Sequence, residues 1–139
     1  MKKLNIIAVF NKEHTEVLMC RRLKEPYKGK YNFVGGKAKD GEESLTAAYR
    51  ELAEETGITE QDITLHHFID FTYYHYNILL ELYVGQLNKD VNVYGDENEL
   101  LWLPLEDTDF FDIHAFAGEG NIGHIMMHID FDREKMLEL

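Results

Sequence analysis

The alternation of apolar and polar positions divides the chain into predicted strands and helices. Residues 4–10 and 16–22 are rich in apolar and β-branched side chains, and a short polar segment separates them. This pattern predicts an antiparallel hairpin. Residues 63–74 and 77–87 are the longest apolar and aromatic runs. They predict two long antiparallel strands, with His75-Tyr76 at the turn between them.

A helix is predicted between Ser44 and Gly57. Apolar positions recur there at the 3.6-residue period of an amphipathic helix. Ser44 is the predicted N-cap, and Gly57 suits the left-handed position that ends many helices. The predicted buried face comprises Leu45, Ala48, Tyr49, Leu52 and Thr56.

Shorter elements complete the pattern. Residues 31–34 are predicted to form a short strand that leads into Gly35-Gly36, and residues 100–103 a late strand that carries Trp102. Asn121 is a candidate cap for a second helix over 122–129. The tail, residues 130–139, suits either a helix or a strand.

Three glutamates fall on one face of the first predicted helix. Glu51, Glu54 and Glu55 have the spacing i, i+3, i+4, which places them together and apart from the apolar face. Their carboxylates repel one another unless a cation lies among them. Because the ligands are hard oxygens, with no converging cysteine or histidine, we predict Mg²⁺, with Mn²⁺ as a possible substitute, rather than zinc.

Composition limits the classes of function. A chain of 139 residues, 45% of them hydrophobic, is long enough for one domain with a substantial core. The net charge of −12 disfavours a nucleic-acid polymer as partner. No apolar run approaches the length of a membrane span. The one cysteine, Cys20, is expected to be a packed thiol, and this usage fits a cytoplasmic protein.

The basic residues are unevenly distributed. Half of the 14 lysines and arginines lie between positions 21 and 39, just before the glutamates. A basic approach beside a cation site suits a small phosphorylated substrate, although a solvated loop explains any single lysine equally well. The members of this cluster are Arg21, Arg22, Lys24, Lys28, Lys30, Lys37 and Lys39.

The region from Gly36 to Ile58 resembles the Nudix box. Nine specified positions occur at the spacing of that motif. They are Gly36, Glu42, Arg50-Glu51-Leu52, Glu54-Glu55 and Gly57-Ile58. The resemblance implies a single Nudix domain over 1–139 with an α/β fold of the α+β type, in which a mixed sheet lies between helices in α/β/α layers.

The resemblance also implies a reaction and roles for residues. In this family water attacks a pyrophosphate linkage of a nucleoside diphosphate joined to another group. Glu51, Glu54, Glu55 and the carbonyl of Gly35 match the metal ligands. Arg50 and Glu42 match a pair that orients the catalytic helix and its loop.

The identity of the general base stays open at this stage. We favour Glu54 or Glu51. The alternative is an acid outside the box, for which Asp96, Glu97 and Glu99 are the candidates.

A looser similarity links the chain to MutT-like nucleotide-pool enzymes. It rests on the start MKKLNI, the pair Arg21-Arg22, Phe33, Trp102 and Asn121. It implies an oxidised purine nucleotide such as 8-oxo-dGTP as the leading substrate. Arg22 would contact phosphate and Asn121 a purine edge, although Asn121 is equally well explained as a helix cap. Phe33, Gly36 and Lys37 complete the predicted substrate-binding set.

Several alternatives remain beside this interpretation. The first alternative is an enzyme that cleaves ADP-ribose or another nucleoside diphosphate joined to a second group. The second alternative is not an enzyme but a nucleotide sensor that binds without cleaving. The protein is expected to be a monomer or homodimer. His124 and His128 lie at i, i+4, but without a third ligand we favour an ordinary helix pair over a zinc site. The following aromatic residues form either a base-stacking wall or sheet core: Phe68, Phe71, Tyr73, Tyr74, Tyr76 and Tyr83.

Overall fold

The fold is described from a computed structural model, which covers residues 1–95 and 97–137. Strands and helices follow the predicted order, with one short 3₁₀ turn at Tyr74–Tyr76. The elements are β1 (Lys2–Phe10), β2 (Glu16–Arg21), β3 (Tyr31–Asn32), β4 (Val34–Lys37), α1 (Ser44–Thr56), β5 (His66–Tyr73), β6 (Ile78–Gln86), β7 (Glu99–Pro104) and α2 (Asn121–Leu137).

The strands form one mixed sheet. Its central path runs β3-β2-β1-β6-β5, while β4 also pairs with β1 and β7 with β2. The predicted hairpins β1–β2 and β5–β6 are antiparallel, and β1 and β6 are parallel. The predicted strand at 31–34 is instead two strands, and β4 continues through both glycines to Lys37. Its pairing with β1 holds the glycines against the centre of the sheet.

Alternate residues of β1 face two separate cores. Ile7 and Val9 pack in the cluster that contains Leu52 of α1. Ala8 and Phe10 pack in a second cluster that contains the apolar side chains of α2. Because successive strand residues point to opposite faces, this alternation places one helix on each side of the sheet. The predicted α/β/α layering is therefore confirmed.

The beginning of α1 differs from the sequence prediction. Glu43, not Ser44, precedes the first helical residue, and it makes no side-chain capping bond. The hydroxyl of Ser44 instead lies 3.5 Å from the Nζ of Lys3 in β1. This tertiary contact cannot be predicted from the residues next to Ser44. The end of the helix is as predicted: Gly57 is left-handed, and its N–H donates to the carbonyl of Ala53.

The buried face of α1 is rotated slightly from the predicted one. Ala47, Ala48, Leu52 and Thr56 are buried, whereas Leu45 is 37% exposed and was wrongly assigned to the core. The buried positions of α1 therefore run from Ala47 to Thr56, the last residue of the helix.

This rotation leads to a stability prediction. We expect Leu52→Ala, at a fully buried position, to lower the free energy of unfolding by about 2–5 kcal/mol. The matched change Leu45→Ala on the same helix should cost less than about 1 kcal/mol, since Ala has the higher helix propensity and little area is lost. Urea unfolding of both variants measures the difference. Equal losses would contradict the observed orientation of α1.

The second helix is longer than predicted. It begins at Asn121 itself and runs to Leu137, so it includes Asn121 as its first residue and extends well past 129. The carbonyl of Gly120 accepts a bond from the N–H of His124, so Asn121 is not the cap. Most of the tail is thus helical, while residues 138–139 lie outside the described part of the chain.

Candidate active site

The glycine pair of β4 lies directly against β1. The N–H of Gly36 donates to Oδ1 of Asn5 at 3.0 Å, and Asn5 is buried. Any side chain at Gly35 would overlap the backbone of Asn5, and φ of +150° at Gly35 also disfavours other residues. A side chain at Gly36 would overlap the carboxylate of Glu51. The two glycines therefore let the loop touch both the sheet and the acidic helix.

The box glutamates converge on one acidic cavity. This cavity has a volume of about 420 Å³, and Glu51, Glu54 and Glu55 all line it. The other lining residues are Gly36, Lys37, Glu97, Asn98 and Leu100. Helix α1 supplies the three glutamates, β4 the glycine, and the segment before β7 supplies Glu97. The chain thus brings four carboxylates to one concave surface.

Arg50 ties the acidic helix to its loop. Its Nε and Nη2 donate to the two oxygens of Glu42 at 2.8 and 2.9 Å. Nη2 also donates to the carbonyl of Lys37 at 3.0 Å, and Nη1 to Glu51 at 3.1 Å and Glu54 at 3.2 Å. All five N–H groups of the guanidinium are therefore used. This fork fixes the orientation of two box glutamates relative to the glycine loop.

Glu42 is strongly stabilised as a carboxylate. The hydrogen bond from Arg50, followed by one from the N–H of Lys39, lowers its pKa from 4.5 to about 2. Glu42 does not line the acidic cavity. Its place in the structure is therefore that of a partner for Arg50, as the resemblance implied, and not of a group that faces the acidic cavity.

Glu55 has the opposite electrostatic environment. Burial, together with the charges of Glu51 and Glu97, raises its pKa from 4.5 to about 7, although the hydrogen bond from the N–H of Gly35 opposes the shift. That N–H donates to Oε2 of Glu55 at 3.3 Å. A partly buried carboxylate among like charges favours a bound cation. The donor set of carboxylate oxygens, with room for water, fits Mg²⁺ or Mn²⁺.

A larger cavity of about 730 Å³ adjoins the acidic one. Both are lined by Gly36, Lys37, Glu55 and Asn98. The predicted substrate-binding residues all line the larger cavity: Arg22, Phe33, Gly36, Lys37 and Asn121. The two cavities thus form one continuous cleft with an acidic end and a more apolar end.

The two described candidate bases outside the box, Glu97 and Glu99, lie in different places in the structure. Glu97 lines the acidic cavity. Glu99 begins β7 opposite Arg21, is exposed, and lines neither cavity. Asp96 lies outside the described residues. Glu97 lies in a bend before β7, whereas Glu99 is the first residue of the strand, and this local geometry separates the two side chains.

The aromatic residues of β5, β6 and the turn between them fall into three environments: the larger cavity, the core and the exposed surface. Phe71 and Tyr73 of β5 line the larger cavity, while Tyr83 packs in the core beneath α1. Phe68 packs against the other core, and Tyr74 and Tyr76 are exposed. The wall of the cleft is therefore built from fewer aromatic residues than the sequence suggested. Phe33, which is nearly buried, contributes another ring.

Several lining residues were missed by sequence analysis. Asn98 lines both cavities, and Tyr27 reaches the larger one from the 22–30 loop. The hydroxyl of Tyr27 donates to Glu119 at 2.8 Å, which joins this loop to the segment before α2. His124 and His128 also line the larger cavity. The role of Asn5 could have been predicted from the sequence, because a polar residue within an otherwise apolar strand needs a hydrogen-bond partner when it is buried.

Cys20 lies beside the cleft as a packed thiol. Its Sγ is 3.7 Å from the carbonyl of Phe33. Burial, with a smaller contribution from the charge of Glu55, raises its pKa from 9.0 to about 11. A thiol that stays protonated at neutral pH is a poor nucleophile. The expectation of a structural cysteine agrees with this environment.

A glycine loop beside an acidic helix, at one end of a two-part cleft, is the arrangement expected of a nucleotide pyrophosphohydrolase. Residues 1–120 match the model of the NUDIX domain, and the chain belongs to this family. A curated relative, the 8-oxo-dGTP diphosphatase of Escherichia coli (strain K12), is 36% identical over 75 residues. That match spans 52% of this chain and 58% of the relative.

Solved structures share the fold across most of the chain. An Ap4A hydrolase binary complex from C. elegans has a TM-score of 0.70 at 21% identity, covering 92% of this chain and 98% of that one. MutT, from a study of Aliivibrio salmonicida and Vibrio cholerae, has a TM-score of 0.63 at 24% identity, covering 93% and 98%. At such identities the likeness concerns the fold. Within the described residues, neither helix has the length and apolar character to cross a membrane.

Proposed function

We propose that this protein is a Mg²⁺-dependent pyrophosphohydrolase whose substrate is a nucleoside triphosphate, with 8-oxo-dGTP as the leading candidate. The observation that carries the proposal is the continuity of the cleft at Glu55. An acidic end that fits a cation meets an end lined by aromatic and amide side chains. A nucleotide has this same division between its phosphates and its base.

The phosphates would lie where the two cavities join. Lys37 lines both of them and Arg22 lines the larger one. The guanidinium of Arg22 is close enough to Glu55 to lower that group's pKa, so its positive charge acts at the acidic end. The Nε–H of Arg22 donates a hydrogen bond to the carbonyl of Pro26 at 2.7 Å. A fixed cation there would offset the charge of phosphate oxygens.

The base would occupy the apolar end of the larger cavity. Phe33, Phe71 and Tyr73 offer ring faces or edges along its wall. Asn121 lies at the start of α2, and its amide both donates and accepts hydrogen bonds. An amide of this kind suits the edge of an oxidised purine, which also presents donors and acceptors.

The reaction would break one P–O bond of the phosphate bridge. When bound, the divalent ion would polarise phosphate oxygens and lower the pKa of a nearby water. Glu54 or Glu51 would accept the proton from water as its oxygen bonds to phosphorus, and the bridging oxygen would leave with pyrophosphate. Glu54 is the freer of the two, since it is 58% exposed and bonded only to Arg50. Glu55 would hold the ion.

Product analysis of a substrate panel tests the proposal. The panel contains 8-oxo-dGTP, dGTP, ADP-ribose and the dinucleotide Ap4A, each with Mg²⁺. We expect 8-oxo-dGTP to give the nucleoside monophosphate and pyrophosphate, with kcat/KM at least ~10-fold above dGTP, a discrimination worth about 1.4 kcal/mol. AMP and ribose 5-phosphate as the favoured products would support the ADP-ribose alternative. No hydrolysis of any nucleotide would contradict catalysis and favour a sensor.

A further inference from the structure

A second group of possible metal ligands lies on strands β5 and β6, away from the cleft. Ligand atoms of His67, Asp70 and Glu81 all lie within 4.8 Å of one another. None of the three lines the acidic cavity or the larger cavity. The three residues come together because β5 pairs with β6. Their spacing in the sequence does not form a recognisable metal-binding motif.

A β-bulge brings two of these residues to the same face. In a regular strand, positions three apart point to opposite sides. The register between β5 and β6 shifts between His67 and Ile69, because His67 pairs with Tyr83 while Ile69 pairs with Leu82. The extra residue restores His67 and Asp70 to one face. Glu81 is the direct partner of Asp70 across the strands and shares that face.

Glu81 is an unusual member of the group because it is buried. It is only 7% exposed, and among the described residues its carboxylate has no hydrogen-bond or ion-pair partner. Its oxygens keep some contact with solvent, since no fully buried side-chain oxygen of the described residues lacks a partner. It also faces Asp70 directly, and like charges in this relation destabilise a sheet. A cation held between the two carboxylates would offset this repulsion.

The other two residues keep the group accessible. The side chains of His67 and Asp70 are 47% and 40% exposed, and Nε2 of His67 contacts Oδ1 of Asp70. The ring of His67 packs on Tyr83, with centroids 5.2 Å apart. This ring contact and the contact with Asp70 place the Nε2 of His67 toward the carboxylates. An ion could therefore enter from solvent and keep water on its open side.

We propose that His67, Asp70 and Glu81 bind one divalent transition ion, of which Zn²⁺ is the representative probe. One imidazole and two carboxylates favour Zn²⁺ or a similar ion over Mg²⁺, which prefers oxygen ligands alone. The site is separate from the carboxylates of the box and does not depend on the proposed hydrolysis. It joins β5 to β6 on the face that α1 covers, since Tyr83 beside it packs in that core.

Calorimetric titration with Zn²⁺ tests this site in the full chain. Excess Mg²⁺ is present throughout, so that the box carboxylates are occupied. We expect the wild type to bind one more equivalent of Zn²⁺ than His67→Gln or the isosteric Glu81→Gln. His66→Gln is the matched control, because His66 pairs with Val84 and lies on the other side of the strand. It should bind Zn²⁺ as the wild type does.

Nuclear magnetic resonance provides an independent measurement. The imidazole resonances that disappear in His67→Gln should be those that shift when Zn²⁺ is added to the wild type. Because His67 is exposed, its replacement leaves the core intact even if Glu81→Gln unfolds the sheet. An unchanged stoichiometry in His67→Gln, with no Zn²⁺-dependent shift of the His67 ring, would overturn the proposal.

Discussion

Glu54→Gln should abolish most Mg²⁺-dependent hydrolysis while the fold survives. Glu54 lines the acidic cavity, and its side chain is 58% exposed with a single ion pair to Arg50 at 3.2 Å. Exposed pairs of this kind contribute little to stability, whereas loss of a general base costs roughly 10²–10⁴-fold in rate. We therefore expect kcat/KM to fall by that factor, measured on the best substrate of the panel.

The control for Glu54→Gln is Glu43→Gln. Glu43 precedes the same helix, is exposed, and does not line the acidic cavity, so its replacement removes the same charge without touching the proposed centre. It should keep wild-type activity. Mn²⁺ binding, followed by electron paramagnetic resonance, should weaken only in the Glu54 variant. Full activity of Glu54→Gln would contradict the assignment of this residue to the metal and catalytic set.

Local patterns predicted the parts of this protein that depend on neighbours in sequence. The i, i+3, i+4 spacing placed three glutamates on one helical face, and in the structure they line one cavity. The left-handed Gly57 ended α1 where expected. The long antiparallel pair was also visible, because its apolar and aromatic runs bracket a short turn. Each of these features is set by backbone geometry over a few residues.

Features that depend on tertiary pairing were not predictable. Leu45 fits the apolar period of α1, yet its side chain is 37% exposed. Ser44 suits a cap, yet its hydroxyl meets Lys3 from β1 instead. The bulge at His67 and the support of Gly36 by Asn5 require a known strand register. In each case a partner distant in sequence decides the outcome, which one chain alone does not reveal.

The distribution of charge explains how an acidic protein can suit an anionic substrate. The chain carries a net charge of −12, and four carboxylates line the acidic cavity. Of the basic cluster at 21–39, Arg22 and Lys37 line the cleft, whereas Lys30 is held by the carbonyl of Ile113. Proximity to the cleft, rather than the number of lysines, therefore determines which cations act on a bound phosphate.

Arg50→Lys should disrupt catalysis through geometry rather than charge. Lysine keeps the positive charge but has three donors and no planar fork. It cannot reproduce the bidentate bond to Glu42 together with bonds to Glu51, Glu54 and the Lys37 carbonyl. Loss of such a supporting partner typically costs 10–100-fold. We expect a fall in kcat/KM of roughly this size, since the glutamates lose their common orientation.

The titration of Glu42 distinguishes this positioning role from a general loss of structure. The pKa of Glu42 is about 2 in the wild type, below its ordinary value of 4.5, so the pair stabilises the fold fully above pH 4.5. That contribution disappears as the pH falls through about 2. In Arg50→Lys the pKa, followed by carboxyl resonances, should rise toward 4.5, and sensitivity to acid should begin at a higher pH.

Arg21→Lys is the matched control for this substitution. Arg21 is exposed at the end of β2, opposite Glu99, and lines neither cavity. The same chemical change at this position should leave both kcat/KM and the pKa of Glu42 unaltered. Wild-type kcat/KM in Arg50→Lys, together with an unchanged pKa of Glu42, would show that a simple positive charge suffices. The fork between α1 and the glycine loop would then have no part in catalysis.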